Sequence, residues 1–108
     1  MKYEEFEELL NSGQILEAGF GIDGYAHYGH CKIVYVEGKS QDNVFYPYIE
    51  FILTPDGKEG CRCHKRFNGQ HKIFHIKGKG NYTFKDVWKK AIFTYVKYKD
   101  GREADSLE

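Results

Sequence analysis

Arginine, histidine and cysteine alternate over residues 61–75 in a pattern that could hold an anion. Asn68-Gly69 stands between two alternating runs, residues 61–67 and 70–77. Asn-Gly is the dipeptide that a two-residue hairpin turn favours, because both central positions need positive φ. With these two residues as the loop, Phe67 faces Gln70. Counting back pairs Arg62 with His75, His64 with Ile73 and Arg66 with His71 on one face of the ribbon. Two arginines and three histidines on one face are chemistry for phosphate or carboxylate. Arginine forks bind such groups bidentately, and histidine adds charge as pH falls below about 6.5. The plainer expectation for the same face is a solvated outer surface, or one covered by the acidic N-terminal segment. Lys72, Lys77, Lys79, Lys85 and Lys89 extend the basic run along the chain. With Tyr82 they are the residue types that track a phosphate backbone while an aromatic ring stacks on a base.

Other motifs point to other chemistries, each with a physical objection. Gly19-Phe20-Gly21-Ile22-Asp23-Gly24 spells a dinucleotide fingerprint, but that motif needs a helix immediately after it to meet the pyrophosphate. Residues 25–31 do not read as a helix, so a turn or a tight sheet corner is the simpler use of these glycines. His27, His30 and Cys31, with Cys61, Cys63 and His64, have the donor types of a zinc site. The hairpin count sends Cys61 and Cys63 to the apolar face, where a thiol behaves as a small hydrophobe, and sends His64 the other way. No metal and no cofactor are therefore expected. Histidine-dependent phosphodiester hydrolysis would need His64 or His71 beside His75 and Lys77. His71 and His75, four residues apart on a strand, lie about 13 Å from each other.

The elements that would position these residues follow from periodicity. Tyr3, Phe6, Leu9 and Leu10 share a helical stripe with glutamates crowded at its start and Gly13 at its end, which predicts a helix over residues 2–12. Alternation predicts strands near 16–22 and 28–37, and β-branched and aromatic residues predict another over 44–54, with Pro47 at an edge or bulge. The two arms of the Asn68-Gly69 hairpin complete five strands. Thr83 and Asp86 form a capping-box-like pair ahead of Phe84, Val87, Trp88, Ala91, Ile92, Tyr95 and Val96, whose spacing predicts a second helix over 84–97. Its rival is a helix that ends early and a strand from Ile92, since that run is β-branched and aromatic. The expected fold is α+β: a five-stranded, mainly antiparallel sheet or small half-open barrel with an N-terminal and a C-terminal helix.

The chain has 108 residues, expected to form one globular domain spanning 1–108. It holds 16 basic and 16 acidic side chains, but they are sorted by halves: 4 basic and 11 acidic in residues 1–59, 12 and 5 in residues 60–108. The basic half asks for an anionic neighbour, which could be a nucleic acid, an acidic protein or the chain's own acidic half. Three cysteines with no signal segment point to reduced thiols in the cytoplasm, and no apolar run has the length of a membrane span. Three functions follow as expectations. The first is a small non-enzymatic module whose basic half engages nucleic acid or another polyanion through Arg62, His64, Arg66, His71, Lys72, His75, Lys77, Lys79, Lys85 and Lys89. The second is a protein-binding adaptor or inhibitor using the acidic helix and exposed Tyr25, Tyr28, Tyr46 and Tyr48. The third is the histidine-dependent hydrolase.

Overall fold

A computed structural model describes residues 1–25, 28–39, 45–52, 59–63, 69–70, 72–76 and 78–107, and over 36–39, 45–52, 59–63 and 72–76 it describes the backbone alone. The chain is α+β, with an antiparallel sheet and two helices.

The first helix, α1, spans Tyr3–Asn11 and buries Tyr3, Phe6 and Leu10, the stripe its periodicity announces. It stops where only glycine is comfortable. Gly13 takes φ +75°, its N–H donates to the Leu10 carbonyl, and the Gln14 N–H donates to the Leu9 carbonyl. These paired bonds satisfy two carbonyls that the helix end would otherwise orphan. Strand β1 (Ile15–Ile22) follows at once and pairs on both sides. One neighbour is β2 (Cys31–Lys39), with Ala18 opposite Ile33 and Phe20 opposite Cys31. The other is β7 (Ala91–Tyr98), with Ala18 opposite Val96 and Gly19 opposite Tyr95.

The remaining strands are β3 (Phe45–Ile52), β4 (Glu59–Cys63), β5 (Lys72–Ile76), β6 (Gly80–Thr83) and β8 (Glu103–Ala104). The main sheet runs in the order β4-β3-β2-β1-β7-β8, while β5 and β6 form a separate two-stranded ribbon. The expected hairpin between residues 61–67 and 70–77 is therefore corrected. Arg62 lies opposite Glu50, and Cys61 and Cys63 lie opposite Phe51 and Ile49 of β3. His75 lies opposite Asn81, and Phe74 opposite Tyr82. Gly69 does sit in a turn, but the strands around it pair elsewhere. The hairpin that forms is the next one along, β5–β6, across the turn at Gly78-Lys79.

The second correction concerns the C-terminal helix. Helix α2 covers only Phe84–Val87, a 3-10 turn takes Trp88–Lys90, and Ala91 is already extended. The apolar spacing from Phe84 to Val96 suits a helix, yet residues from Ile92 onward favour a pleated surface, and pairing with β1 satisfies their backbone. The capping box itself forms as its residues predict. The Asp86 N–H donates to Thr83 Oγ1 at 3.1 Å, and the Thr83 N–H donates to Asp86 Oδ2 at 3.0 Å.

The core is an aromatic cluster that joins these pieces. Phe6 is fully buried, with its ring centroid 5.2 Å from Trp88, 5.3 Å from Phe93 and 6.0 Å from Phe84. Phe20 closes the cluster against Phe84 and Phe93 at 5.3 and 5.6 Å. Helix α1, strand β1, the α2 turn and strand β7 thus share one set of rings, and none can move without unpacking the others.

Candidate functional site

Of the basic residues expected to share one face, Arg62 and His75 are not cross-strand partners. Arg62 belongs to β4 and both Lys72 and His75 to β5, so they sit in different sheets. His64, Arg66, His71 and Lys77 lie outside the described residues. Lys79, Lys85 and Lys89 are exposed, on the β5–β6 turn, on α2 and on the 3-10 turn.

Their electrostatic situations differ. Lys85 is engaged by the acidic half of the chain: its Nζ lies 3.7 Å from Glu4 Oε1 and 5.6 Å from the Tyr3 ring centroid. Its backbone N–H also donates to the Gly69 carbonyl at 2.9 Å. Lys97 is paired in the same way, 3.7 Å from Glu17. By contrast, Lys79, Lys89 and Lys90 have no carboxylate partner among the described residues.

Two of these unpaired lysines converge on Tyr25. The Nζ atoms of Lys79 and Lys90 stand 5.7 and 5.5 Å from the centroid of its ring. The position of that ring follows from local chain chemistry. After β1 the chain turns at Asp23-Gly24, with Gly24 at φ +82°. The Tyr25 N–H donates to the Ile22 carbonyl, and the Tyr28 N–H donates to the Tyr25 carbonyl. The Asp23 N–H donates to the Lys90 carbonyl at 2.7 Å, which ties this loop to the 3-10 turn. Three segments far apart in sequence, residues 23–25, 78–79 and 88–90, are thereby gathered at one place.

Tyr25 also lines an open cleft of about 490 Å³. Its lining also includes Gly21, Asp23, Gly24 and Gly29, with Ile92 and Thr94 of β7. Position 21 must be glycine for a steric reason, since a Cβ there would come within 2.9 Å of the Gly29 carbonyl oxygen. Gly19 is likewise held bare, because the Tyr95 ring lies where its Cβ would be. The Gly19, Gly21 and Gly24 motif thus serves close backbone approach and a turn. Its three glycines are followed by a bend and by β2 where a dinucleotide fold would have a helix.

Placement bears on two further expectations. Tyr28, expected on the surface, is buried in the core, whereas Tyr25 is half-buried; the side chains of Tyr46 and Tyr48 lie outside the described set. Cys31 points into the core from β2, where its Sγ–H donates to the Tyr28 carbonyl at 3.6 Å and burial pushes its thiol up to about 12. The adjacent His30 is exposed, so the two do not present donors to a common point. His27, Cys61 and Cys63 lie outside the described side chains.

Sequence reasoning set Lys79 in the right company but missed Tyr25 and Lys90 as its partners. The available signal was Gly78-Lys79-Gly80 between alternating residues, a turn that brings a lone lysine to a tip. Comparison of the chain with known protein families, with curated proteins and with solved structures finds no match.

Proposed function

We propose that this chain is a small non-enzymatic binding module that engages a polyanion, most simply nucleic acid, through a surface centred on Tyr25, Lys79 and Lys90. The observation that carries this reading is the convergence of two ammonium groups, neither paired with a described carboxylate, on one half-exposed aromatic ring. Lys89 stands beside them on the same 3-10 turn and adds a third charge. Unpaired lysines gathered at an aromatic ring suit a phosphate backbone, because each neutralised phosphate releases condensed counterions. Arg62, His64, Arg66, His71, Lys72, His75 and Lys77 extend the contact on this reading, and Lys85 is held partly in reserve by Glu4.

The sheet that carries the site is proposed to curl as a half-open barrel. Register shifts in β1 at Ile15/Glu17 and at Gly19/Phe20 support this, since bulges increase local twist. The odd set of three cysteines suits a reducing compartment, and we propose that the protein is cytoplasmic. No helix among the described residues is long and apolar enough to cross a membrane.

The test is fluorescence anisotropy with labelled RNA and DNA oligonucleotides at increasing salt. Affinity should fall linearly in log–log form, and Lys79→Glu with Lys90→Glu should weaken it at least tenfold while leaving the fold intact. Absence of binding at low salt would rule the proposal out. Exposed Ile92 and Leu16 favour a second reading, a protein-binding adaptor, whose partner affinity should change little with salt.

A further inference from the structure

The cleft beside Tyr25 has a composition that polyanion binding alone does not call for. Backbone contacts to phosphate need cations and donors, yet the lining that Tyr25 shares also includes Gly21, Ile22, Gly29 and Ile92. Ile92, on that lining, is 58% exposed, so its side chain is open to a ligand. At about 490 Å³ the cleft is within the range of small-molecule sites, roughly 300–1,000 Å³.

We infer that this cleft receives an unpaired nucleobase, with Tyr25 and Ile92 as its apolar walls and Lys79 and Lys90 holding the phosphates on either side of that nucleotide. The inference rests on the proposed function and narrows it from polyanion to single-stranded nucleic acid. A base is planar and has an apolar face, which matches the aliphatic and aromatic lining, and its own phosphates match the two ammonium groups that have no described carboxylate partner. The carboxylate on the lining, Asp23, keeps phosphates on the lysine side and offers an acceptor to an exocyclic amine at the base edge. A duplex cannot reach the cleft, because its bases are paired and stacked inside the helix.

The test compares three probes at fixed low salt: oligodeoxycytidine about 12 nucleotides long, an abasic deoxyribose-phosphate chain of the same length, and a duplex of that length. The base-bearing single strand should bind about tenfold or more tightly than the abasic chain, as expected for one well-stacked base. Ile92→Ala should remove most of that advantage and leave abasic binding unchanged. Because Ile92 is exposed, this variant should keep the thermal midpoint of the parent. Equal affinity for base-bearing and abasic chains, or equal affinity for duplex and single strand, would overturn the inference while leaving polyanion binding in place. Failure of every probe to bind would instead overturn the proposed function, and the cleft reading with it.

Discussion

Tyr95 and Gly19 act as a single unit across two strands. The ring occupies the space a Cβ at position 19 would need, and its hydroxyl donates to Glu17 Oε2 at 2.7 Å. Gly19→Ala must therefore displace the ring and break that bond, and should cost about 1–3 kcal/mol by chemical denaturation. Adding Tyr95→Ala should recover part of the loss, since the two sites are in contact and their effects are not additive. The same tyrosine makes stability depend on alkaline pH. Burial, and then the hydrogen bond to Glu17, hold its phenol above the ordinary tyrosine value, and Tyr3 is raised for the same reasons through Glu7. A raised folded value favours the neutral phenol, so this stability is fully present below the unfolded value of about 10 and is lost progressively above it, as pH rises through the folded value. Urea midpoints measured against pH should fall above about pH 10, and Tyr95→Phe should flatten that fall. The Cys31 thiol, raised by burial to about 12, should resist alkylation at pH 8 in the native protein and react once unfolded, as read by mass spectrometry.

At the scale of elements, the short α2 turn depends on its cap because it has too few residues to hold itself. Thr83→Ala removes the acceptor for the Asp86 N–H and should cost about 1 kcal/mol. Asp86 is held below the usual carboxylate value chiefly by the backbone N–H of Thr83. A lowered folded value means its contribution is present above the unfolded value of about 3.9 and disappears as pH falls through the folded one. The cap therefore weakens in acid, and an Asp86→Asn chain should show a shallower acid limb in denaturation. Helix α1 is held by packing. Phe6→Ala opens a void among Trp88, Phe93 and Phe84 and should cost about 3–5 kcal/mol in the same assay.

Across the whole molecule, the two charged halves meet at few described points. Lys85 with Glu4 joins the acidic helix to the basic half, while both side chains stay largely in water. Such a pair adds little stability, so Glu4→Gln should change the unfolding free energy by less than about 1 kcal/mol. Its larger effect is expected on binding. With Glu4 neutral, Lys85 is released to phosphate, and the slope of log affinity against log salt should steepen by about one. An unchanged slope would show that Lys85 stays outside the interface. Among the described residues, the capture of Lys85 by α1 and the lack of a carboxylate partner for Lys79, Lys89 and Lys90 divide these lysines into neutralised and available charge.

Local chemistry was legible in the residues themselves. The α1 stripe, the Gly13 stop, the alternation of β1 and the Thr83-Asp86 cap depend on neighbours within a few positions, and each formed from that information. Misreading began where two local rules competed. Asn68-Gly69 and Gly78-Lys79 both signal turns, and only the strand partners available in three dimensions select the second as a hairpin. The run after Trp88 has helical spacing and strand-forming residues, and β1 decided between them by offering an edge to pair with. For the candidate site, Lys79 could be read as exposed and basic, but its meeting with Tyr25 and Lys90 could not, because they lie more than fifty residues and about ten residues away along the chain. The sequence by itself determined the α+β class, the charge division and the caps, since propensity, periodicity and composition are short-range. Tertiary structure alone decided which turn closes a hairpin, which lysines are neutralised and which converge on an aromatic ring, because those outcomes are set by long-range packing around the Phe6 cluster.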